Sequence, residues 1–267
     1  QKFGGSMLLD DTIKIIAHEL YDAGKQEKAI EPLVGRFPEF TIDCAYKIQL
    51  ENVKKRVTEG ERIIGKKIGL TSYSMQKMLG VYEPDYGHIF NTMVLLKNEL
   101  SLSTVIQPKA EGEIAFVMKE GIQGPGITST DVICATDFVM PAIEIIDSRI
   151  RDWKIKIEDT VADNASSAFI LVGTKALPLN EVDMFSTGMV FCKNGEIVAT
   201  GAAAAVMGNP VNAVTWLINK LSEFGVGIKK GEIILSGSLT AAVDLKENDV
   251  LEVVFDRLGS VTLKVKP

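Results

Sequence analysis

Two glutamates separated by a single glycine stand in the segment Pro108–Met118, and this spacing is able to support metal chemistry. The apolar second half of the segment predicts a strand that enters a buried sheet. Successive strand side chains point to opposite faces, so Glu111 and Glu113 point the same way. Two carboxylates on one face of an apolar strand repel each other and lose hydration. A bound divalent cation offsets both effects, and an all-oxygen ligand set favours Mg²⁺, Mn²⁺ or Ca²⁺ over zinc.

A third acid occurs in a similar setting farther along the chain. Glu144 is the only charged residue in the apolar run from residue 138 to residue 146, and this run predicts a second buried strand. In the alternative interpretation, Glu111 and Glu113 lie on a solvated edge and Glu144 pairs with an arginine. The recurrence of a lone acid in a second buried strand favours the cation site.

Two further segments carry groups that could move protons, and a third could approach a ligand. Lys66 and Lys67 are adjacent in a predicted strand, so their side chains face opposite sides of the sheet and only one of them can face the site. In the alternative interpretation both lysines are solvated. Asp85 follows Pro84 ahead of an apolar run, which predicts an acid on a loop; the alternative is a turn residue bonded to its own backbone. The small and polar residues 160–167 suit close approach of the backbone to a ligand, although an ordinary turn has the same composition.

The elements that must position these groups begin with a helical unit. Apolar spacing and capping residues predict one helix from Asp10 and a second from Thr41 to Gly60. Residues 7–60 are therefore interpreted as a small N-terminal helical unit that serves as a lid or packing domain. Residues 1–6 look like a cloning remnant and are set aside.

Residues 61–267 are interpreted as one catalytic domain, mostly of strands. Besides the acid-bearing and lysine-bearing strands, further strands are predicted over residues 168–173, 188–193, 196–200, 233–239 and 250–255. The Asn-Gly pair at residues 194–195 is typical of a tight hairpin turn. Later helices are predicted over residues 128–138 and 212–224.

The composition excludes several classes of function. The net charge of −6 and the lack of a long basic run argue against nucleic-acid binding. No apolar run approaches the ~20 residues that a membrane helix needs. Three widely spaced cysteines indicate a reducing, cytoplasmic setting without a disulfide framework or a zinc motif. Dinucleotide-binding, P-loop and nucleophile-elbow motifs are absent, and of the two histidines His18 is interpreted as solvated surface.

Four segments occur in the same order in one known group of proteins. They are Gly-Lys-Lys-Ile-Gly-Leu-Thr-Ser at 65–72, Pro-Asp-Tyr-Gly at 84–87, Pro-Lys-Ala-Glu-Gly-Glu-Ile-Ala-Phe at 108–116 and Asp-Thr-Val-Ala-Asp-Asn-Ala-Ser at 159–166. Through them, from about Leu8 to the C-terminus, the chain resembles the 2-hydroxypenta-2,4-dienoate (2-oxopent-4-enoate) hydratases of catechol meta-cleavage pathways. It also resembles the related 4-oxalocrotonate decarboxylases, and both groups belong to the fumarylacetoacetase-like superfamily.

The resemblance implies a fold and a set of site residues. The fold is of the α+β class, a fumarylacetoacetase-like mixed β-roll or barrel with flanking helices. The implied ligands of a Mg²⁺ or Mn²⁺ ion are Glu111, Glu113 and Glu144. Lys67 and Asp85 are the implied catalytic pair, and Lys67 is preferred to Lys66 because it directly precedes Ile-Gly-Leu-Thr. The implied substrate-binding residues are Leu70, Thr71, Ser72, Asn164 and Ser166.

The implied activity is metal-dependent addition of water to 2-hydroxypenta-2,4-dienoate, which gives 4-hydroxy-2-oxopentanoate. Three alternatives stay open: 4-oxalocrotonate decarboxylation, a non-catalytic partner subunit, and metal-dependent chemistry on another 2-oxo acid. Residues 149–159 resemble the hydratase branch more than the decarboxylase branch. C–C bond hydrolysis is disfavoured because no histidine stands near the metal motifs, and His88 is interpreted as a bystander. The resemblance also implies a homo-oligomer and a complex with the sister decarboxylase.

Overall fold

The computed structural model of the chain describes residues 10–37 and 39–267. It is a mixed helix-and-sheet fold, as predicted for the α+β class. The predicted cloning remnant at residues 1–6 lies outside the described residues. Among the described helices, none has the length and apolar character that crossing a lipid bilayer requires.

The helices begin and end close to the positions that their caps predict. Thr41, the N-cap of the second helix, accepts a hydrogen bond from the Cys44 N–H at 3.3 Å, and Pro210 opens the last helix. In chain order the α-helices are α1 (Asp10–Lys25), α2 (Ile42–Thr58), α3 (Tyr73–Leu79), α4 (Ser129–Ala135), α5 (Ile157–Ala162) and α6 (Pro210–Ser222).

The strands form two sheets. In chain order they are β1 (Ile63–Gly69), β2 (Asp85–Phe90), β3 (Glu99–Ser101), β4 (Pro108–Met118), β5 (Thr136–Asp147), β6 (Ser167–Val172), β7 (Gly188–Lys193), β8 (Glu196–Ala202), β9 (Ile233–Ser238), β10 (Val243–Asp244), β11 (Val250–Phe255) and β12 (Gly259–Lys266). The larger sheet has the order β2-β1-β9-β4-β5-β6, and β10 pairs with β4. The smaller sheet has the order β3-β12-β11-β7-β8.

The two faces of the larger sheet have different surroundings. One side contributes Ile114, Phe116 and Ile143 to a core shared with the helices and the smaller sheet. Its other side carries a smaller apolar cluster that includes Ala142 and Leu235. Ala142 is the register partner of Glu113, and Leu235 is that of Lys67, so the predicted catalytic groups share this second face.

Several predicted elements are confirmed and others need correction. The hairpin at Asn194–Gly195 and strands β1, β4 and β7 lie where they were predicted. The helix predicted to reach residue 138 ends at Ala135, because Phe138 already pairs with Val117 in the β4–β5 ladder. Helix α5 and strand β12 were not predicted; α5 includes residues 160–162 of the expected 160–167 loop.

Buried side chains tie the N-terminal helices to the sheet. The Asp159 carboxylate in α5 accepts hydrogen bonds from the Leu33 and Val34 N–H groups at 2.7 and 3.1 Å. The Gln49 amide of α2 donates to the Tyr86 and Val161 carbonyls at 3.0 and 2.8 Å. The helical unit therefore bonds directly to β2 and α5, which flank the predicted site.

Substitution of Asp159 tests this connection. Asp159 also accepts from the Lys156 N–H at 2.9 Å, so Asp159→Ala leaves three backbone donors without their acceptor. We expect the free energy of unfolding to fall by about 2–5 kcal/mol in urea titration. Asp137→Ala removes an exposed acid from β5 and serves as the control, with an expected change under about 0.5 kcal/mol. Equal stability of the two variants would contradict the proposed link.

Candidate metal centre and catalytic site

Three glutamates from two paired strands form an acidic cluster. Glu111 lies directly opposite Glu144 in the antiparallel β4–β5 ladder, and Glu113 lies two residues farther along β4. One carboxylate oxygen from each lies within 4.8 Å of the others. Glu113 and Glu144 are fully buried, whereas Glu111 is partly exposed. The prediction that Glu111 and Glu113 lie on the same face of one strand is thus confirmed.

Each buried glutamate uses one carboxylate oxygen and leaves the other without a hydrogen bond. Glu113 accepts from the Gly237 N–H at 2.9 Å, and Glu144 accepts from the Ser167 hydroxyl at 2.8 Å. Among the described residues, the second oxygens of both, Glu113 Oε1 and Glu144 Oε2, have no hydrogen-bond partner. Glu144 Oε2 lies within ion-pair distance of Lys67, whereas Glu113 Oε1 has no such partner among the described residues and requires a ligand or a proton.

Lys67 lies against this cluster. Its ammonium is 3.3 Å from Glu144 Oε2 and donates to the Ala165 carbonyl at 2.9 Å. Burial alone lowers the pKa of Lys67, but the carboxylates of Glu144 and Asp85 outweigh burial and raise the pKa above its ordinary range. Lys67 therefore stays charged as the cation of the site.

Asp85 completes the group, although its position corrects the prediction of an acid on a loop. It is the first residue of β2, where it is buried opposite Gly69 in the β1–β2 ladder. A Cβ on Gly69 would lie 2.1 Å from Asp85 Oδ1, so glycine at this position leaves space for the Asp85 carboxyl group. Asp85 Oδ1 has no hydrogen-bond partner among the described residues.

Burial and mutual repulsion shift these acids toward their protonated forms. Burial raises the pKa of Asp85, against the opposing effect of Lys67. Burial also raises the pKa of Glu111 to about 7, and it raises that of Glu113 well above its ordinary value with help from Glu144. A cation that binds these oxygens would displace protons, so its affinity would fall as the pH is lowered through about 7.

Lys66 points away from the site. Its ammonium is 3.5 Å from Glu232 Oε2, and burial lowers the pKa of Lys66 despite that partner. His88 is also buried, with Nδ1 3.0 Å from Gln49 Oε1, and burial together with Lys66 lowers the pKa of His88 well below its ordinary value. A neutral His88 bonded to Gln49 fits the bystander interpretation. His18 is exposed on α1, as predicted.

Three of the predicted substrate-binding residues are consecutive, and the first two, Leu70 and Thr71, follow β1 directly. Leu70 has a left-handed φ of 56°, and Thr71 is buried against Gly237, where a Cβ would lie 2.2 Å from Thr71 Oγ1. Ser72 instead caps α3 by accepting from the Met75 N–H at 3.4 Å. Substrate binding by these three residues stays a prediction.

Ser166 and Asn164 lie in the turn between α5 and β6. The Ser166 hydroxyl is buried without a hydrogen-bond partner among the described residues, which leaves it available to a ligand. The Asn164 amide instead bonds to the backbone of β2: its oxygen accepts from the His88 N–H at 2.8 Å and its nitrogen donates to the His88 carbonyl at 2.9 Å. Its substrate role stays a prediction, and its observed role is to join β2 to the turn that leads into β6.

Sequence reasoning missed three residues that shape the site. Ser167 bonds to Glu144, Gly237 bonds to Glu113, and Gly69 leaves room for Asp85. A signal was present for each glycine, since each follows an apolar strand in a Gly-rich or Ser-rich context. Ser167 had no distinguishing signal, because its neighbours are also small and polar.

The donor set fits a hard divalent cation. All the donor atoms are carboxylate oxygens, and two of them are buried without a hydrogen bond. Neutral histidine or thiolate ligands, which zinc or copper would favour, are absent from this cluster. A Mg²⁺-class ion would bind the two carboxylate oxygens that lack hydrogen bonds and would reduce the repulsion among the three glutamates.

Comparisons with known proteins agree with this geometry. The family model of the fumarylacetoacetate (FAA) hydrolase C-terminal domain matches residues 84–266. The 2-hydroxypent-2,4-dienoate hydratase of Pseudomonas putida is 47% identical, with 80% of this chain and 97% of that protein covered. The 2-hydroxyhexa-2,4-dienoate hydratase of Comamonas testosteroni is 42% identical, with 94% of this chain and 97% of that protein covered.

A solved structure has nearly the same fold. The 4-oxalocrotonate decarboxylase of Pseudomonas putida G7, complexed with magnesium and adipate, superposes with a TM-score of 0.94 at 37% identity, covering 97% of this chain and 99% of that one. This likeness confirms the predicted fumarylacetoacetase-like fold. The chain therefore belongs to the fumarylacetoacetate hydrolase family and, within it, to the group of the 2-hydroxypentadienoate (2-keto-4-pentenoate) hydratases.

Proposed function

We propose that the protein is a metal-dependent hydratase that adds water to 2-hydroxypenta-2,4-dienoate in aromatic catabolism. One observation carries the proposal: three glutamates, Lys67 and Asp85 converge in a buried site with unsatisfied carboxylate oxygens. The family relationship supplies the reaction, since relatives at 47% and 44% identity are named 2-hydroxypent-2,4-dienoate and 2-keto-4-pentenoate hydratases.

Glu111, Glu113 and Glu144 would hold a Mg²⁺ or Mn²⁺ ion. When bound, the ion supplies Lewis-acid stabilisation of negative charge on the oxygens of a 2-oxo acid. The Mg²⁺ and Ca²⁺ in solved structures of the decarboxylase support a hard cation. Lys67, fixed by Glu144 and the Ala165 carbonyl, contributes a second positive charge toward the substrate.

Asp85 is the proposed acid and base. Its raised pKa suits a carboxyl group that holds a proton for transfer, and its unpartnered Oδ1 is available to the substrate. Protonation of the dienol at C5, with loss of the 2-hydroxyl proton, gives the α,β-unsaturated ketone. Water then adds its oxygen to C4 and a proton reaches C3, which yields 4-hydroxy-2-oxopentanoate. Of the two roles open to Lys67, orienting the substrate or sharing the proton transfer, its raised pKa favours orientation by a charged ammonium.

Leu70, Thr71, Ser72, Asn164 and Ser166 are proposed to line the substrate. The buried hydroxyl of Ser166, which lacks a hydrogen-bond partner among the described residues, gives this assignment its firmest support. The amide of Asn164 already bonds to His88, so its part would be to place the turn.

The setting and assembly of the protein extend the proposal. A reducing, cytoplasmic environment is proposed from the odd number and wide spacing of the three cysteines. A homo-oligomer and a complex with a sister decarboxylase are proposed from family membership. Residues 7–60 are proposed to act as a packing unit rather than a lid, because Gln49 and the connector before α2 bond to the sheet and α5.

The activity itself is the first test. Purified protein with Mg²⁺ should convert 2-hydroxypenta-2,4-dienoate to a product heavier by one water, as measured by mass spectrometry, and chelation should abolish the conversion. The same protein should release little CO₂ from 4-oxalocrotonate. Rapid CO₂ release without water uptake would instead identify the decarboxylase activity that the solved neighbour's name carries.

The metal assignment is tested with carboxylate-to-amide changes. Glu111→Gln and Glu144→Gln should weaken Mg²⁺ binding at least about tenfold in calorimetric titration, because an amide keeps the shape but loses the charge. The fold should survive, since each change also relieves repulsion among buried acids.

Glu232→Gln is the matched control, because Glu232 is a buried acid that pairs with Lys66 on the opposite face. Its Mg²⁺ affinity should equal that of the unmodified protein. Unchanged affinity in both Glu111→Gln and Glu144→Gln would exclude the acidic cluster as the metal site.

Asp85→Asn tests the acid–base role. The amide has the size of the carboxyl group but does not carry the proton, so kcat should fall by ~10²-fold or more while Mg²⁺ affinity is retained. The melting temperature, measured in parallel, distinguishes this from a structural role, which would reduce stability and leave turnover per folded molecule nearly unchanged. A folded, metal-binding variant with near-normal kcat would remove Asp85 from the mechanism.

A further inference from the structure

The turn between α5 and β6 has an unfavourable backbone. Asn164, Ala165 and Ser166 have successive φ values of 55°, 51° and 55°, in the left-handed region that residues with a Cβ rarely adopt. Three such residues in a row persist only when their surroundings hold them in place, and such strain clusters at functional sites.

This turn supplies contacts to three parts of the catalytic site. The Ala165 carbonyl accepts from Lys67, the Ser167 hydroxyl donates to Glu144, and the Asn164 amide holds the backbone of β2, the strand that begins with Asp85. A shift of the turn would therefore disturb Lys67, Glu144 and β2 together.

The turn is packed on one side and borders a cavity on the other: Ala165 and Ser166 are buried, and a Cβ on Gly87 of β2 would lie 2.3 Å from the Asn164 carbonyl oxygen. The cavity, of about 400 Å³, lies between the N-terminal helices and the turn, and its lining includes Asp163, Asn164, Ser167 and Arg149. On the cavity side the residues that flank the turn, Asp163 and Ser167, lack part of their van der Waals packing, so hydrogen bonds fix their positions there.

Arg149 makes those hydrogen bonds at both ends of the turn. Its Nε donates to Asp163 Oδ1 at 2.5 Å, and its two terminal nitrogens donate to the Asp163 carbonyl at 2.5 Å and the Ser167 carbonyl at 3.2 Å. Its backbone N–H also donates to Asp163 Oδ2 at 3.0 Å. Only a planar guanidinium can reach a carboxylate and two carbonyls in this way; a lysine ammonium cannot reproduce the fork.

We propose that Arg149 is a positioning residue for the metal and for Lys67, acting through the left-handed turn 164–166 and the Ser167 hydroxyl. The proposal deepens the proposed function and rests on it for the turnover measurement. Its cation-binding measurement does not depend on the identity of the substrate. If the unmodified protein fails to hydrate the dienoate, the proposed function fails while the titration still tests Arg149.

Arg149→Lys is the principal variant. It keeps the positive charge beside Asp163 but loses the bonds to one or both carbonyls. We expect Mg²⁺ affinity to fall about tenfold in calorimetric titration and kcat to fall more than KM rises, as for loss of a group that orients a ligand. Mg²⁺ affinity and kcat equal to those of the unmodified protein would overturn the proposal.

Arg56→Lys is the matched control. Arg56 lines the same cavity and forms a similar fork, with Nε and one terminal nitrogen 3.0 and 2.7 Å from the Glu61 carboxylate, but it does not bond to the turn. Its Mg²⁺ affinity and kcat should stay normal. Equal losses in both variants would mean that any arginine of this cavity matters, which would refute a specific role for Arg149.

A double-mutant cycle tests the route through Ser167. Ser167→Ala alone should also weaken Mg²⁺ binding, because Glu144 loses its hydroxyl donor. If Arg149 acts through Ser167, the fold-reduction in Mg²⁺ affinity of the double variant should be smaller than the product of the fold-reductions of the two single variants. A fold-reduction equal to that product would show that Arg149 and Ser167 act independently and would overturn the route through Ser167.

A second pair of variants covers the case in which Arg149→Lys does not fold. The combination of Arg149→Gln with Asp163→Asn removes both charges, so that no buried charge is left unpaired. It should fold, as judged by circular dichroism, and show the same loss of Mg²⁺ affinity. A folded pair variant with normal affinity would overturn the proposal.

Discussion

The structure depends on one electrostatic imbalance: four acids and a single lysine share a buried site. Glu111, Glu113, Glu144 and Asp85 provide the carboxyl groups, and Lys67 alone provides positive charge among the described side chains that contact them. Burial makes each uncompensated charge costly, so the site holds protons or a cation. A doubly charged cation bound to these oxygens would reduce the imbalance.

The sheet is what makes this imbalance tolerable. Glu111 and Glu144 stand on hydrogen-bonded partner strands, so their separation is set by the ladder rather than by side-chain freedom. Gly69 leaves room for the Asp85 side chain and Gly237 leaves room for the Thr71 side chain, at positions where a Cβ would collide with them. The hydrogen-bonded backbone thus holds the carboxylates close together despite their repulsion. This proximity raises the pKa of Glu113.

The sequence was most informative where the period of a strand decides the outcome. The shared face of Glu111 and Glu113, and the opposite orientations of Lys66 and Lys67, follow from alternation alone and agree with the structure. Asp85 was misplaced onto a loop because Pro84 and Gly87 carry turn propensity, whereas pairing with β1 makes the segment a strand. The left-handed turn and the Arg149 fork were beyond prediction, because they join residues through tertiary contacts that leave no periodic pattern.

The bond between Asn164 and β2 has a consequence for solubility. β2 lies at one edge of the larger sheet, and backbone groups at a sheet edge form a template for pairing with another chain unless they are covered. Here every residue of β2 is buried, because α2 and the α5–β6 turn bond to this edge. The Asn164 amide donates to one of these groups and accepts from another, as a neighbouring strand would. A single side chain thereby blocks a register position at which an unfolding neighbour could add a strand. Loss of the Asn164 amide would leave the His88 N–H and carbonyl without these partners and would weaken the protection of this edge against pairing with another chain.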